Sequence, residues 1–249
     1  MQLQRIAIDP SQFDLPHITL TRQQQHYLCR VLRLKSGDRF VAIDAQRQWW
    51  LSGLEQQSSG EFGAIALERL EVQTELPIAI TLIVALPKGN GFDDVVRSCT
   101  ELGVSVIQPI FSDRTLLSPS SQKCDRWRRI IREAAEQSER QTIPSLSDPI
   151  PFQNAIANTQ NFDRRYICVA RGENASLLHN LQTAKLQRGE TISIAVGPEG
   201  GWTPEEVARA LDAGWEPVSL GKRVLRAVTA PIVAMSIGAA ALESLRVDG

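Results

Sequence analysis

Cysteine and histidine are scarce. Four cysteines (Cys29, Cys99, Cys124, Cys168) lie far apart in 249 residues, with no C-x-x-C pair. That argues against a disulfide scaffold and against zinc ligands at their usual spacing; free thiols in a reducing compartment are expected. Three histidines (His17, His26, His179) form no H-E-x-x-H set, so no metal is expected. Charge of one sign is not in excess either: 27 Lys and Arg stand against 28 Asp and Glu, a formal net charge of −1. Bulk attraction to a polyanion is thereby excluded, and any nucleic-acid site must be a local patch. The longest strongly apolar stretch, 230–242, falls short of the roughly 20 residues that span a bilayer. The N-terminus shows no basic, apolar, small-residue order. No membrane partner and a cytoplasmic location are therefore expected. Two phosphate-binding signatures are also missing. Gly89-Asn90-Gly91 meets Asp94 where a third glycine would complete G-x-G-x-x-G, and no G-x-x-x-x-G-K-[ST] occurs.

What is present reads as two regions. Up to about residue 74 the pattern is short β-type runs: Ile6 and Ile8, then Phe40, Val41 and Ile43, then Phe62, Ala64, Ile65 and Leu67, punctuated by glycines. One helix interrupts, with Thr21 as N-cap and Tyr27, Leu28, Val31 and Leu32 on one face. The composition changes at 73–78, Gln-Thr-Glu-Leu-Pro-Ile. Beyond it strands and helices alternate. Strands are expected at 80–86, 106–111, 166–170, 191–196 and 218–220. Helices are expected through Phe92 to Leu102, with Gly103 as the cap, and through Trp127 to Ser138. This alternation predicts an α/β domain, a parallel sheet covered by helices, over 75–249, after a small β-rich domain over 1–74.

Two stretches carry the chemistry. Gly197-Pro198-Glu199-Gly200-Gly201-Trp202 follows a strand, and Thr203-Pro204-Glu205-Glu206 is a capping box that opens a helix. Its glycines allow close backbone approach to a ligand at the C-terminal end of a strand, although a plain tight turn would look the same. Leu220-Gly221-Lys222-Arg223-Val224-Leu225-Arg226 again lies between a strand and a helix. That helix, Ile232 to Leu245, is apolar nearly all round and thin, with Ala234, Gly238, Ala239, Ala240 and Ala241. Burial on several sides is expected, inside the domain or between subunits.

Together, Gly-Pro-Glu-Gly-Gly and Leu-Gly-x-Arg-Val-Leu-Arg resemble the SPOUT superfamily of RNA methyltransferases. More narrowly the chain is similar to the bacterial 16S ribosomal RNA uridine-N3 methyltransferase family. Lys88-Gly89, Glu101-Leu102-Gly103-Val104, Glu136-Gln137 with Arg140, and His26-Tyr27-Leu28 with Val31-Leu32-Arg33 have counterparts there. The resemblance implies a PUA-like β-barrel domain, then a parallel-sheet domain with a deep trefoil knot, a homodimer and S-adenosyl-L-methionine as cofactor. It places the cofactor against Ala170, Gly197, Pro198, Glu199, Gly200, Gly201, Leu220, Gly221, Val224 and Leu225. The implied substrate is N3 of a uridine in the decoding region of 16S rRNA in the small ribosomal subunit. One departure stands out. Many members carry Thr-Glu-Thr-Ala after the Leu-Arg, whereas this chain has Ala227-Val228-Thr229-Ala230, so a general-base role for that acid does not carry over.

The imide N3–H is a poor nucleophile until its proton leaves, and charge then develops on the flanking carbonyls. An arginine suits that charge. Arg140 is the first candidate and Arg226 the second; Arg140 also has Glu136 at helical spacing as an ion-pair partner. Arg30, Arg33, Lys35 and Arg39 form a basic cluster that suits RNA phosphates, and Lys88 and Arg223 are further candidates for RNA contact. Arg126, Arg128, Arg129 and Arg132 are interleaved with Glu133 and Glu136 and read as a paired, solvated face. Trp49-Trp50 could stack bases but reads first as core. Three rivals stand beside this reading: a ribose 2′-O-methyltransferase, disfavoured by the lack of Asn and Ser in 222–231; a non-catalytic RNA-binding factor; and a metabolic α/β enzyme.

Overall fold

The structure, a computed structural model, describes residues 3–44, 48–57, 60–70, 74–115 and 118–244. Gln73, in the expected connecting stretch, and Leu245, the expected end of the last helix, lie outside the described residues. The chain forms two compact units: 1–75 with 135–143, and 76–134 with 144–249.

The first unit is built on β1 (Arg5–Ile8), β2 (Phe13–Asp14), β3 (His17–Ile18), β4 (Arg39–Asp44), β5 (Trp49–Gln56) and β6 (Phe62–Leu70). They form one sheet in the order β1-β4-β5-β6-β3-β2, antiparallel except where β1 runs beside β4. Strand β5 was not expected, and the tryptophan pair opens it. Successive residues of a strand face opposite ways. Trp49 therefore packs with Val41 and Ile43, while Trp50 packs against the cluster of Ile6, Phe40 and Leu54 and donates from Nε1 to Asp44 at 3.2 Å.

Helix α1 (Arg22–His26) starts as its sequence says. Thr21 Oγ1 accepts from the Gln24 N–H at 3.2 Å, and Gln24 Oε1 accepts from the Thr21 N–H at 2.8 Å. The expected apolar face does not follow. Tyr27–Val31 forms a π turn, closed by the Leu32 N–H on the Tyr27 carbonyl at 2.9 Å. A wider turn breaks the i, i+4 register. Leu28 is buried, but Tyr27 and Val31 are 38 % and 56 % exposed. The segment 135–143 joins this unit through polar links: Glu136 accepts from the Ala7 N–H at 2.7 Å, and Glu139 pairs with Arg5 at 2.9 Å.

The second unit holds a parallel sheet. Its strands are β7 (Ala79–Ala85), β8 (Val106–Phe111), β9 (Ser145–Leu146), β10 (Ile150–Pro151), β11 (Arg164–Cys168), β12 (Thr191–Val196) and β13 (Glu216–Val218). The order is β10-β8-β7-β12-β11-β13, with β9 also on β8, and every pairing is parallel. The C-terminal ends of these strands therefore lie along one edge. Ile80, Leu82, Ile83 and Val84 are fully buried, as expected of a strand covered on both faces. β11 and β13 begin two residues earlier than their apolar runs suggest. Arg164 and Arg165 pair in register with Ile192 and Ser193, and Glu216 pairs with Tyr166.

The helices are α2 (Phe92–Glu101), α3 (Ser121–Gln137), α4 (Phe152–Asn158), α5 (Leu177–Thr183), α6 (Pro204–Asp212) and α7 (Thr229–Ser244). The small residues of α7 have a reason: a Cβ on Gly238 would lie 3.0 Å from Ile80 Cδ1. Only a helix without side chain there can sit this close to β7 and β12. Burial is not complete around it within one chain. Ile232, Val233 and Ile237 are half-buried, and Ser236 and Ala240 are exposed. Among the described residues no helix is long and apolar enough to cross a membrane.

Candidate functional site

The loop after β12 is anchored from every side. At its far end Thr203 Oγ1 accepts from the Glu206 N–H at 3.2 Å, and Glu206 Oε2 accepts from the Thr203 N–H at 2.8 Å. Pro204 takes the first helical position, where a missing N–H costs nothing. The other Glu206 oxygen accepts from the Asp113 N–H, beyond β8, at 2.9 Å. Glu206 is buried, and a carboxylate is tolerated there because both oxygens are hydrogen-bonded.

Within the loop, Gly201 closes a turn with its N–H on the Pro198 carbonyl at 2.9 Å and has φ +67°. Arg114 Nη1 donates to the Gly200 carbonyl at 2.5 Å. Glu199 Oε1 accepts from the Lys88 N–H at 2.8 Å. Trp202 folds back, stacks on Phe152 with ring centroids 4.4 Å apart, and donates from Nε1 to the Cys168 carbonyl at 3.0 Å. Its ring leaves no room for a side chain at Gly197, where a Cβ would meet ring atoms at 3.0 to 3.2 Å.

The loop after β13 is held more lightly. Ser219 Oγ accepts from the Gly221 N–H at 3.1 Å, and Gly221 has φ +118°, a conformation suited to glycine. Gly221, Lys222, Arg223, Val224 and Arg226 are exposed, Val224 to 73 %. The Arg226 carbonyl accepts from the Thr229 and Ala230 N–H groups at 2.9 Å, which starts α7.

These two loops and the end of β11 enclose a cavity of about 430 Å³, within the usual size range of a small-molecule site. All ten residues that the resemblance assigned to a cofactor line it, from Ala170 through 197–201 to Leu220, Gly221, Val224 and Leu225. Arg223 lines it as well. Sequence reasoning missed Arg114, Trp202 and Cys168, which also line it. Only Arg114 carried a signal, standing just beyond a strand on the ligand-binding edge of a parallel sheet. Burial pushes the Cys168 thiol up to about 12.

The remaining predicted residues stand apart from the cavity lining. Lys88 is exposed in the loop after β7, and Arg226 is exposed without lining the cavity. Arg140 corrects the expectation. It belongs to the first unit, is 3 % exposed and is ion-paired with Glu75, which also accepts from the Thr142 N–H at 3.0 Å. The Arg140 guanidinium is thus buried against a carboxylate and is not part of the cavity lining, where the expectation needed it open to a substrate. In the same unit Arg30, Arg33, Lys35 and Arg39 are all exposed. Their one acidic neighbour, Asp38, accepts from the Lys35 N–H at 2.7 Å. On α3 Arg129 makes the expected i, i+4 pair, with Glu133; Arg126 pairs instead with Asp93, and Arg128 with Asp125 and Asp148.

The comparisons agree with this geometry. A sequence profile described as an RNA methyltransferase domain matches residues 74–239, and one described as an RNA methyltransferase PUA domain matches residues 20–52. The chain is 44 % identical over 241 residues to ribosomal RNA small subunit methyltransferase E of Synechocystis, covering 96 % of this chain and 78 % of that one. It is 30 % identical over 244 residues to the Bacillus subtilis protein of the same name, covering 94 % of each. A crystal structure of the Neisseria gonorrhoeae methyltransferase E bound to S-adenosyl methionine matches with a TM-score of 0.84 at 28 % identity, over 98 % of each chain. The first profile spans every residue that lines the cavity, and both relatives matched over most of this chain share one name, so the chain belongs to the ribosomal RNA small subunit methyltransferase E family.

Proposed function

We propose that this protein transfers the methyl group of S-adenosylmethionine to N3 of a uridine in the decoding region of 16S rRNA, on the small ribosomal subunit in the cytoplasm. The observation that carries the reading is the cavity: three loops, at the C-terminal ends of β11, β12 and β13, close on one space. A profile named for RNA methyltransferases covers all of them.

The residues present fit such a cofactor. The cavity wall is a glycine-rich backbone with apolar flanks, Val169, Val196, Val224 and Leu225, which suits an adenosyl group held by main-chain hydrogen bonds and apolar contact. Gly197 makes room for the Trp202 ring behind that wall, and Gly201 takes the positive φ of its turn. The bound cofactor would supply an electrophilic methyl on a sulfonium. Arg114, Arg171 and Arg223 line the cavity against one acid, Glu199, a balance that favours an anionic substrate at its mouth. Arg226 would place its fixed donors on the uracil carbonyl oxygens as the N3 proton leaves. Val228 puts no carboxylate at the place where relatives carry an acid, so proton removal falls to solvent or main chain.

The basic surface of the first unit, Arg30, Arg33, Lys35 and Arg39, would hold rRNA phosphates, together with Lys88 and Arg223. The knotted chain path implied by the resemblance belongs to the same reading. So does a homodimer: the side of α7 left uncovered follows helical spacing, Ile232, Val233, Ser236, Ile237 and Ala240, and a second copy would cover it.

The test is incubation with labelled S-adenosylmethionine and undermethylated small subunits, followed by nucleoside analysis. The expected product is 3-methyluridine. A methylated ribose or another base overturns the uridine-N3 assignment, and no transfer with no cofactor binding overturns the whole reading.

A further inference from the structure

The loop 88–91 lines no part of the cavity, yet both cavity loops touch it. From the first, Glu199 Oε1 accepts from the Lys88 N–H at 2.8 Å. From the second, Val228 leans on Gly91 so closely that a Cβ there would lie 2.5 Å from Val228 Cγ2. From a third side, α3, Lys123 Nζ donates to the Gly89 carbonyl at 2.8 Å. Gly89 has φ +69° and open space around it, so its own conformation rather than crowding shapes the turn. Lys88 and Gly89 point outward, exposed, at the same sheet edge as the cavity.

One oxygen of the Glu199 carboxylate is thus engaged by a loop that does not line the cavity. We propose that Glu199 is a positioning residue and that the loop 88–91 is the element it positions. Together Glu199 and Val228 fix where Lys88 stands, and so couple the cavity loops to the placement of the RNA substrate. This rests on the function proposed above. Charge-assisted hydrogen bonds to backbone N–H groups are among the stronger ones available, and a methyl packed on a glycine leaves no slack. Gly91 has φ −60°. A side chain there is acceptable to the backbone, and the Val228 contact alone opposes it.

The experiment uses the full-length protein, with cofactor affinity by calorimetry, kcat and KM on undermethylated small subunits, and melting curves to confirm folding. Glu199→Ala should lower kcat/KM on subunits about tenfold while leaving cofactor affinity within about twofold. Glu199→Gln, which keeps an acceptor oxygen, should recover most of the loss. Gly91→Ala should show the same defect, and adding Val228→Ala should relieve it. Cofactor affinity falling in step with turnover in both Glu199 variants would overturn the proposal, because the carboxylate would then be a cofactor ligand. An unaffected Glu199→Ala, or no relief by Val228→Ala, would overturn it too. Failure of the unmodified protein to bind cofactor or transfer methyl would instead remove the function beneath it.

Discussion

The two loops of the cavity are built differently. The one after β12 is tied down by Arg114, Trp202, Glu199 and a buried capping glutamate. The one after β13 is tied near its start, where Ser219 bonds Gly221 through its side chain and Ala175 and Leu177 through its main chain, and leaves Arg223, Val224 and Arg226 in the open. A loop fixed on all sides presents a preformed backbone surface at no ordering cost. An open loop presents side chains. The first offers main chain to the cavity; the second lends it Leu220, Gly221, Val224 and Leu225 and holds Arg223 and Arg226 in the open.

Breaking the fixed loop should have the largest effect. Gly197→Ala forces a Cβ into the Trp202 ring, overpacking of about 1–3 kcal/mol, and cofactor affinity measured by calorimetry should fall tenfold or more. Next, the open loop should fail in turnover and not in binding. Arg226→Ala should lower kcat about a hundredfold at unchanged cofactor affinity, the size seen when a transition-state donor is lost. Arg140→Ala is the control. It should cost about 3 kcal/mol of stability by leaving Glu75 unpaired, seen as a lower Tm, while the folded fraction keeps normal turnover. The smallest effect belongs to the opposite end of β12, where Asp163 accepts from the Thr191 N–H at 2.7 Å and from its hydroxyl at 2.9 Å. Those bonds lower the Asp163 carboxyl below its usual range. Its contribution is therefore present above the ordinary carboxyl pKa and lost as pH falls through the lowered one. Asp163→Asn should lower Tm slightly at neutral pH, with the difference from the parent closing in acid and cofactor affinity unchanged.

The fixed loop was legible because its instructions are local. Thr203, Pro204 and Glu206 lie within four residues, and strand, turn and helix start follow from them. The ten lining positions came from the resemblance of the two loops to a known family, and the structure puts them on those loops and one strand end. Arg114, Trp202 and the Glu199–Lys88 link were not, since each joins residues 34 to 111 apart in the chain. Arg140 misled for the same reason. Helical spacing offers Glu136, but the carboxylate that buries it is Glu75, 65 residues away. Tyr27 and Val31 misled for a local one: a π turn has a different period, and nothing in the residue order announces it.

A vessel for an alkylating agent must not contain a nucleophile that the agent can reach. Cys168 lines this one. A thiolate there would compete with the RNA for the methyl group, and each event would disable the protein permanently. Burial at the end of β11 pushes the thiol's pKa up to about 12, which keeps it in the unreactive protonated form at neutral pH. The packing that ends the strand thus also protects the protein from its own reagent.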